Sequence, residues 1–546
     1  MKETALESRV NDRYICKSVR FVVLEGQMIV LDANAGVPMY EQVYEAVKVH
    51  IEQGLFRPGQ RLPSIRAMAA QLGVSKITVE QAYLQLATEG YIQAHNRAPY
   101  EVLEIPQPLI GYYDGMTPIN STSDRTCGIM GNLREPKEEV LSSVKPKGVR
   151  QSLTDAGKQK VEKLILDCDG CTTSTLNNVL PKGMNRQPTP ILYNFATGAM
   201  DPEGFDFKRW KRFIGYALRD TKRLMTYGQL EGEPELRSEL NQYLQQARGV
   251  RATVERILVT SGTLNSLHMI ASLLQRQGKS KVALDRQSPS FAKALWKDYG
   301  FSVLEVDTGD PQLIATLQAA NVEVLYCMPS HGDSMGRIMT IQERTELLRW
   351  AQSQSAFIIE DDYDSELRYY GKPVLSLQGM DLQDCVIYMG TPSKVLPPSI
   401  RLSYLVLPVV LYEDFHKHRK AYGQSAGVLE QLAWAMYMDE GEWHKQIRRL
   451  RKHYLEKSKY FTSVLRHYLD DTYEVIDPEG GVYAGIRKAR SQGDVLRTRA
   501  LAAGCDIKVI DRDETGVVEV LLSFSGIPTR DLERAVQVLA EAWKGL

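Results

Sequence analysis

Six short apolar runs recur in the C-terminal part of this chain, at residues 257–260, 282–285, 324–327, 356–359, 385–389 and 402–407. Runs this short, with no polar residue on alternate positions, suit strands that are buried on both faces. The stretches between them are long enough for helices. Strands alternating with helices imply a mostly parallel sheet, and such sheets hold ligands at the C-terminal ends of their strands.

Residues 390–401 join the last two runs and carry Thr391, Ser393, Lys394 and Arg401. A lysine between two buried strands is poorly placed as a surface charge. Burial lowers its pKa and frees the amine to attack a carbonyl. Thr391 and Ser393 add hydroxyls and Arg401 a forked cation, a set that suits a phosphate. An amine beside a phosphate cradle matches pyridoxal 5′-phosphate (PLP), an aldehyde with a phosphate handle, which Lys394 would hold as an internal aldimine. Upstream, the run at 356–359 leads into residues 360–366, a cluster of carboxylates around Tyr363. A carboxylate, here Asp361, set against the pyridine nitrogen keeps that nitrogen protonated and the ring an electron sink. Tyr363 is in position to hydrogen-bond the phenolic oxygen. The structural alternatives are a plain Ser-Lys loop and a solvated acidic turn.

The N-terminal part follows a different pattern. Residues 1–35 hold a pair of apolar runs, 21–24 and 28–31, that suit a small hairpin. Tyr40, Val43, Val47, Ile51 and Leu55 recur at helical spacing, and Gly54 with Pro58-Gly59 ends that helix. Ser64 caps a short helix over 65–72, Gly73 turns the chain, and Ser75 caps a third helix that runs to Glu89. Two helices about a glycine turn make a helix-turn-helix. Residues 90–94 and 100–103, with Arg97 between them, form a wing.

At 546 residues the chain exceeds one domain, and 43% hydrophobic with 25% charged residues suits large soluble cores. The net charge is zero, so no global field steers it to nucleic acid or membrane. Residues 36–104 hold six Lys and Arg against seven Asp and Glu, so any DNA affinity must come from placement and pairing of the module. No apolar run approaches the ~20 residues of a spanning helix. Seven cysteines, sparse and odd in number, fit a reducing cytoplasm. Cys168 and Cys171 form a C-x-x-C with no second pair at zinc-site spacing, read as two linker thiols. Residues 105–190 show no sustained period and suggest a tether with one helix at 155–166.

Residues 38–40, Gly54, 58–59, 62–64, 72–75, 78–79 and 82–83 closely resemble the GntR winged helix, and residues 193–546 resemble the fold-type-I aminotransferases. Together they resemble the MocR subgroup of GntR regulators, which fuse the two. The resemblance implies an α/β fold: an N-terminal extension (1–35), a winged helix-turn-helix (36–104), a linker (105–190) and an aminotransferase-like domain (191–546). That last domain would carry a mostly parallel sheet and a smaller C-terminal α+β subdomain. It implies double-stranded DNA as a partner, with Arg61, Ser64, Arg66, Ser75, Lys76 and Thr78 facing it. It also implies a homodimer, since Tyr227 matches a tyrosine that reaches the cofactor phosphate of the partner subunit. Gly262 and Thr263 match the phosphate turn, Phe291 the aromatic stacked on the pyridine, and His331 a histidine at the ring. The chain departs from the pattern in the wing tip at 96–99, at Leu264 where the family has Gln, after His331, and at Leu521. In that last place the family has the arginine that clamps the substrate carboxylate, and leucine offers no such clamp. The expected function is a transcription regulator that senses PLP or an amino compound. The alternative is a working aminotransferase with an accessory DNA-binding domain.

Overall fold

The computed structural model describes residues 19–24, 27–32, 34–95, 98–105, 190–331, 337–369, 374–489, 493–512 and 516–546. The proposed tether helix, Cys168, Cys171 and the wing tip at Asn96 and Arg97 lie outside the described residues.

The N-terminal module begins with the expected hairpin, β1 (Val19–Leu24) antiparallel to β2 (Gln27–Asp32). Three helices follow: α1 (Met39–Glu52), α2 (Ile65–Leu72) and α3 (Lys76–Thr88). Their caps are those expected from sequence. Ser64 Oγ accepts from Ala67 N (3.2 Å) and Ser75 Oγ from Thr78 N (3.1 Å), while Gly73 takes φ +64° to turn between α2 and α3. The antiparallel pair β3 (Ile92–His95) and β4 (Ala98–Val102) forms the wing. Val43, Val47, Leu72, Val79 and Tyr83 fill the module's core.

After β5 (Tyr193–Asn194) comes a seven-stranded sheet made of β6 (Ile257–Thr260), β7 (Lys281–Asp285), β8 (Ser302–Val306), β9 (Val324–Cys327), β10 (Phe357–Asp362), β11 (Val386–Gly390) and β12 (Ser403–Val406). Its order is β6-β12-β11-β10-β9-β7-β8. The strands from β11 to β8 pair in parallel, and β12 runs antiparallel to both its neighbours. The apolar runs are unbroken because both faces are covered. Ile359, Ile387 and Leu405 pack with Leu267 and Trp296 on one side, and Ile358 and Val386 with Leu347 and Trp350 on the other.

A second, antiparallel sheet closes the C-terminal part. It is ordered β13 (Tyr473–Ile476), β14 (Tyr483–Ala489), β17 (Val517–Ser523), β16 (Lys508–Arg512), and β15 (Cys505–Asp506) pairs separately with β5. Ala484, Ile486, Val520 and Leu522 turn one face of this sheet to the core. The opposite face carries Tyr483, Gly485 and Leu521, as period-two alternation requires. No helix among the described residues is long and apolar enough to cross a membrane.

Candidate functional site

A cavity of about 490 Å³ opens at the C-terminal ends of the central strands, where a mostly parallel sheet favours ligands. It is lined by Thr263, Phe291, Asp361, Tyr363, Ser393 and Arg401 from the predicted set. Glu479, Gly480, Tyr483, Gly485, Lys508 and Leu521 are further walls.

Lys394 follows β11 on the turn into β12. Its Nζ donates to Gly198 O at 2.7 Å and lies 6.0 Å from the ring centroids of both Tyr363 and Tyr483. A Cβ on Gly198 would fall 2.1 Å from that nitrogen and 2.9 Å from the Tyr483 hydroxyl, so any larger residue there would displace the lysine amine. Burial lowers the amine's pKa, and Asp364 opposes the shift. The group is thus held toward its neutral, nucleophilic form.

The acidic run at the end of β10 divides by side. Asp361 faces the cavity and accepts from Tyr326 Oη on β9. Burial pushes its carboxyl up to about 7; the Tyr326 bond opposes this, and Asp362 and Asp364 add to it. Glu360 and Asp362 point the other way. Glu360 accepts from Leu377 N and Gln378 N, both at 2.9 Å. Asp362 accepts from the buried Arg248 Nε (2.7 Å) and from Tyr388 Oη (2.5 Å), and Arg248 also donates to Ser330 Oγ (2.7 Å). This Arg248–Asp362–Tyr388 group braces the strand behind the cavity. Sequence reasoning missed it because Arg248 lies 114 residues upstream of Asp362.

Beside the cavity, β6 turns through Gly262 into the helix Thr263–Arg276, whose first residue is a wall. Gly262 has φ +83°, and a Cβ there would come within 2.6 Å of Arg401 Nη2. The Arg401 guanidinium therefore lies against the exposed start of that helix, where backbone N–H groups are unsatisfied and anions are favoured. Among the described residues Arg401 makes no side-chain hydrogen bond or ion pair. Ser393 lines the cavity, whereas Thr391 is buried beneath it. The Thr391 hydroxyl donates to Leu402 O (2.9 Å) and lies 2.7 Å from Ser393 Oγ, so Thr391 orients Ser393 from below. Phe291, in the helix Ser290–Asp298, presents a half-exposed ring to the cavity. His331 ends a 3-10 turn at Pro329–His331, and its side chain lies outside the described residues. Tyr227 is fully exposed and is not a wall of the cavity in its own chain.

On the N-terminal module, Arg61, Ser64, Arg66, Ser75 and Lys76 are exposed and Thr78 is half-buried. They gather around the N-termini of α2 and α3. Ile77, 65% exposed on α3, is an apolar side chain that sequence reasoning did not single out.

One contact was not anticipated. The C-terminal end of α3 rests on the aminotransferase-like core. Ile341 N donates to Glu89 O (3.0 Å), and Gln342 Nε2 donates to Gly90 O (2.8 Å). The buried Glu89 carboxylate accepts from Tyr44 Oη (2.7 Å) and Gln85 Nε2 (2.9 Å) and lies 3.7 Å from Arg368 Nη1. The Arg368 backbone bridges to Gly480, and Tyr369 N donates to Glu479 O (3.0 Å). Glu479 and Gly480 are walls of the cavity, so one loop touches both the cavity and the residue that holds α3.

Comparison with known proteins places both parts. Residues 39–102 match the model for bacterial regulatory proteins of the gntR family, and residues 190–539 match aminotransferase class I and II. The HTH-type transcriptional regulator YhdI of Bacillus subtilis is 28% identical over 522 residues, covering 94% of this chain and 98% of that one. The probable rhizopine catabolism regulatory protein MocR of Rhizobium meliloti is 26% identical over 538 residues, covering 95% and 96%. Among solved structures, the alpha-aminoadipate aminotransferase LysN of Thermus thermophilus, complexed with N-(5′-phosphopyridoxyl)-L-leucine, superposes with a TM-score of 0.56. It is 23% identical and covers 64% of this chain and 92% of that one. This last likeness concerns the fold.

Proposed function

The chain belongs to the aminotransferase class I and II family and carries a gntR-family DNA reader, and on that premise we propose that this MocR-type transcription regulator binds PLP in the Lys394 cavity and senses PLP or an amino compound there. The observation that carries this reading is the distribution of charge along the cavity. Arg401, a wall whose guanidinium makes no side-chain hydrogen bond or ion pair among the described residues, meets a helix N-terminus. Asp361, another wall, is a buried carboxylate that forms no ion pair among the described residues. An amine of lowered pKa, Lys394, is not itself a wall but lies 6.0 Å from the ring centroids of two walls, Tyr363 and Tyr483. These residues fit a phosphate, a protonated pyridine nitrogen and an aldehyde in that order.

When bound, PLP would supply a reactive aldehyde and an electron-withdrawing ring. Arg401, Ser393, Gly262 and Thr263 would hold the phosphate, Asp361 would pair with the ring nitrogen and keep it protonated, and Tyr363 would meet the phenolic oxygen. Phe291 would cover a ring face. PLP added to the purified protein should produce a visible absorption band, and Lys394→Ala should abolish it. A colourless wild-type protein at saturating PLP would overturn the assignment.

Arg61, Ser64, Arg66, Ser75, Lys76 and Thr78 present hydroxyls, helix N-termini and cations suited to DNA phosphates and base edges. Tyr227 (100% exposed) and the neighbouring Met225 (85%) support a homodimer in which Tyr227 reaches the partner's phosphate site. The loop at 478–481 and the Arg368–Glu89 pair offer a direct route from cavity to α3, beside any effect of the tether. The intact Lys394–Asp361 arrangement keeps the aminotransferase reading alive, and Leu521 in the cavity wall weighs against it. Fast turnover of any amino acid in a transamination screen would displace the pure-regulator reading.

A further inference from the structure

A second cavity, of about 380 Å³, lies between the DNA reader and the core. One wall is a face of α3 that carries Gln81, Gln85 and Thr88. The other is a face of the long helix Glu442–Tyr468 that carries Ser458, Thr462 and Arg466. Helices that pack directly on each other meet through apolar stripes. These two faces are mostly polar, and a polar cavity takes up water or a solute where an apolar one stays dry.

Five charged residues line this cavity: Arg368, Lys459, Arg466, Asp477 and Glu479. Arg466 and Asp477 hold each other through contacts of 2.8 and 3.1 Å. Glu479 is exposed. Arg368 is only 7% exposed, and its buried Nη1 makes no hydrogen bond within the protein. Glu89 Oε1 lies 3.7 Å from that nitrogen, near enough for attraction and too far for a hydrogen bond. A guanidinium carries five N–H donors, so Arg368 can hold Glu89 and a second anion together. Lys459 forms no ion pair among the described residues. Two cations, one of them buried, are thus available to an anion in this cavity.

The hydroxyl walls restrict the rest of the ligand. Thr88 Oγ1 donates to Leu84 O (2.9 Å), and Ser458 Oγ donates to Leu455 O (3.0 Å). Each hydroxyl has its single hydrogen engaged by its own helix and keeps only acceptor lone pairs. A molecule that satisfies them must donate.

We propose that this cavity binds a small polyol bearing a phosphate or carboxylate, an effector separate from the molecule held at Lys394. Its oxyanion meets Arg368 and Lys459, and its hydroxyls donate to Thr88 and Ser458. Thr88 belongs to α3 and the other three to the core, so the ligand fastens the reader to the core. The inference does not depend on PLP binding.

The test uses the full-length protein with glycerol 3-phosphate, glucose 6-phosphate and glycerate, against inorganic phosphate, glycerol and glucose. Mass spectrometry reads two signals: acetylation of Lys459 and hydrogen exchange over residues 81–88. At least one of the three polyol acids should slow both, and glycerol and glucose should slow neither. That acid should bind about tenfold tighter than inorganic phosphate, the scale of two added hydrogen bonds. Protection by the phosphates or by glycerate identifies the anion. Lys459→Met, an exposed substitution, should weaken binding several-fold by the exchange signal, and Lys459→Arg should retain it. Arg368→Met combined with Glu89→Gln, which leaves no unpaired acid, should weaken it about tenfold or more. Arg401→Ala should keep the protection, because Arg401 lines the other cavity. No protection by any of the three acids, unchanged affinity in Lys459→Met, or affinity equal to that of inorganic phosphate overturns the proposal. So does protection lost in Arg401→Ala, or protection given only by duplex DNA.

Discussion

Replacing Asp361 with asparagine should make the PLP-free protein more stable at pH 8 and less able to hold PLP. Burial raises the Asp361 carboxyl from 3.8 to about 7. Between those values the folded state binds more protons than the unfolded one, so stability falls as pH rises through that window. Three pKa units at about 1.4 kcal/mol each set a ceiling of roughly 4 kcal/mol, most of it lost by pH 8. Asparagine keeps an oxygen for the Tyr326 hydroxyl and carries no charge. Asp361→Asn should therefore melt a few degrees above wild type at pH 8 and close to it at pH 5, each without PLP. A protonated pyridine nitrogen would reverse the order, because it compensates the carboxylate and gains nothing from the amide. Thermal unfolding of both proteins from pH 5 to 8.5, with and without PLP, reads all four limbs. Equal melting temperatures at pH 8 without PLP, or a PLP-induced stabilisation as large in the variant as in wild type, would refute the reasoning.

Arg401→Ala should weaken PLP binding at least about tenfold, the usual scale for losing a charge-assisted phosphate contact, and leave the PLP-free melting temperature unchanged, since the guanidinium supports no other described group. Gly262→Ala, placing a methyl 2.6 Å from Arg401 Nη2 on a backbone at φ +83°, should weaken PLP binding and also lower stability by about 1 kcal/mol or more; fluorescence titration and thermal melts separate the two variants. Lys76→Ala should reduce affinity for operator DNA and lower the slope of log K against log salt by about one, measured by fluorescence anisotropy. Glu89→Gln should leave DNA binding within a few-fold of wild type and shrink the change in DNA affinity caused by PLP; an undiminished PLP effect would rule out the Arg368 contact as its route.

The amphipathic spacing of α1, the serine caps of α2 and α3, and the double-sided apolar runs of the central sheet were legible because each depends on neighbours within a few residues. The same holds for Lys394, whose placement between two buried strands is a local fact. Asp361 was distinguishable from its acidic neighbours in principle, since alternation along β10 sends residues 359 and 361 to one side. What the sequence did not reveal depends on pairing between distant segments. Lys508 lies on an edge strand whose register against Leu521 is set by tertiary packing, and nothing in its local pattern marks it as a cavity residue. Glu89 and Arg368 meet 279 residues apart, and Glu89 reads locally as an ordinary acidic residue at the end of a helix.

That last contact has energetics suited to switching. Removing one partner of a buried ion pair commonly costs about 3–5 kcal/mol, because the other charge is left without compensation. Glu89 also accepts from Tyr44 and Gln85, so it keeps two hydrogen bonds if Arg368 withdraws. The cost of separation is thereby reduced toward the 1–3 kcal/mol typical of coupling between sites, which a small ligand can supply through differential affinity. The Arg368 backbone is tied to the cavity wall, because it pairs with Gly480 and a Cβ on Gly480 would stand 3.0 Å from Arg368 Cα. A ligand that displaces the loop at 479–480 would therefore pull on the Arg368 backbone. The Ile341 and Gln342 bonds to Glu89 and Gly90 would hold α3 on the core in either arrangement, so the expected response is a change in how firmly α3 is seated, not release of the whole module.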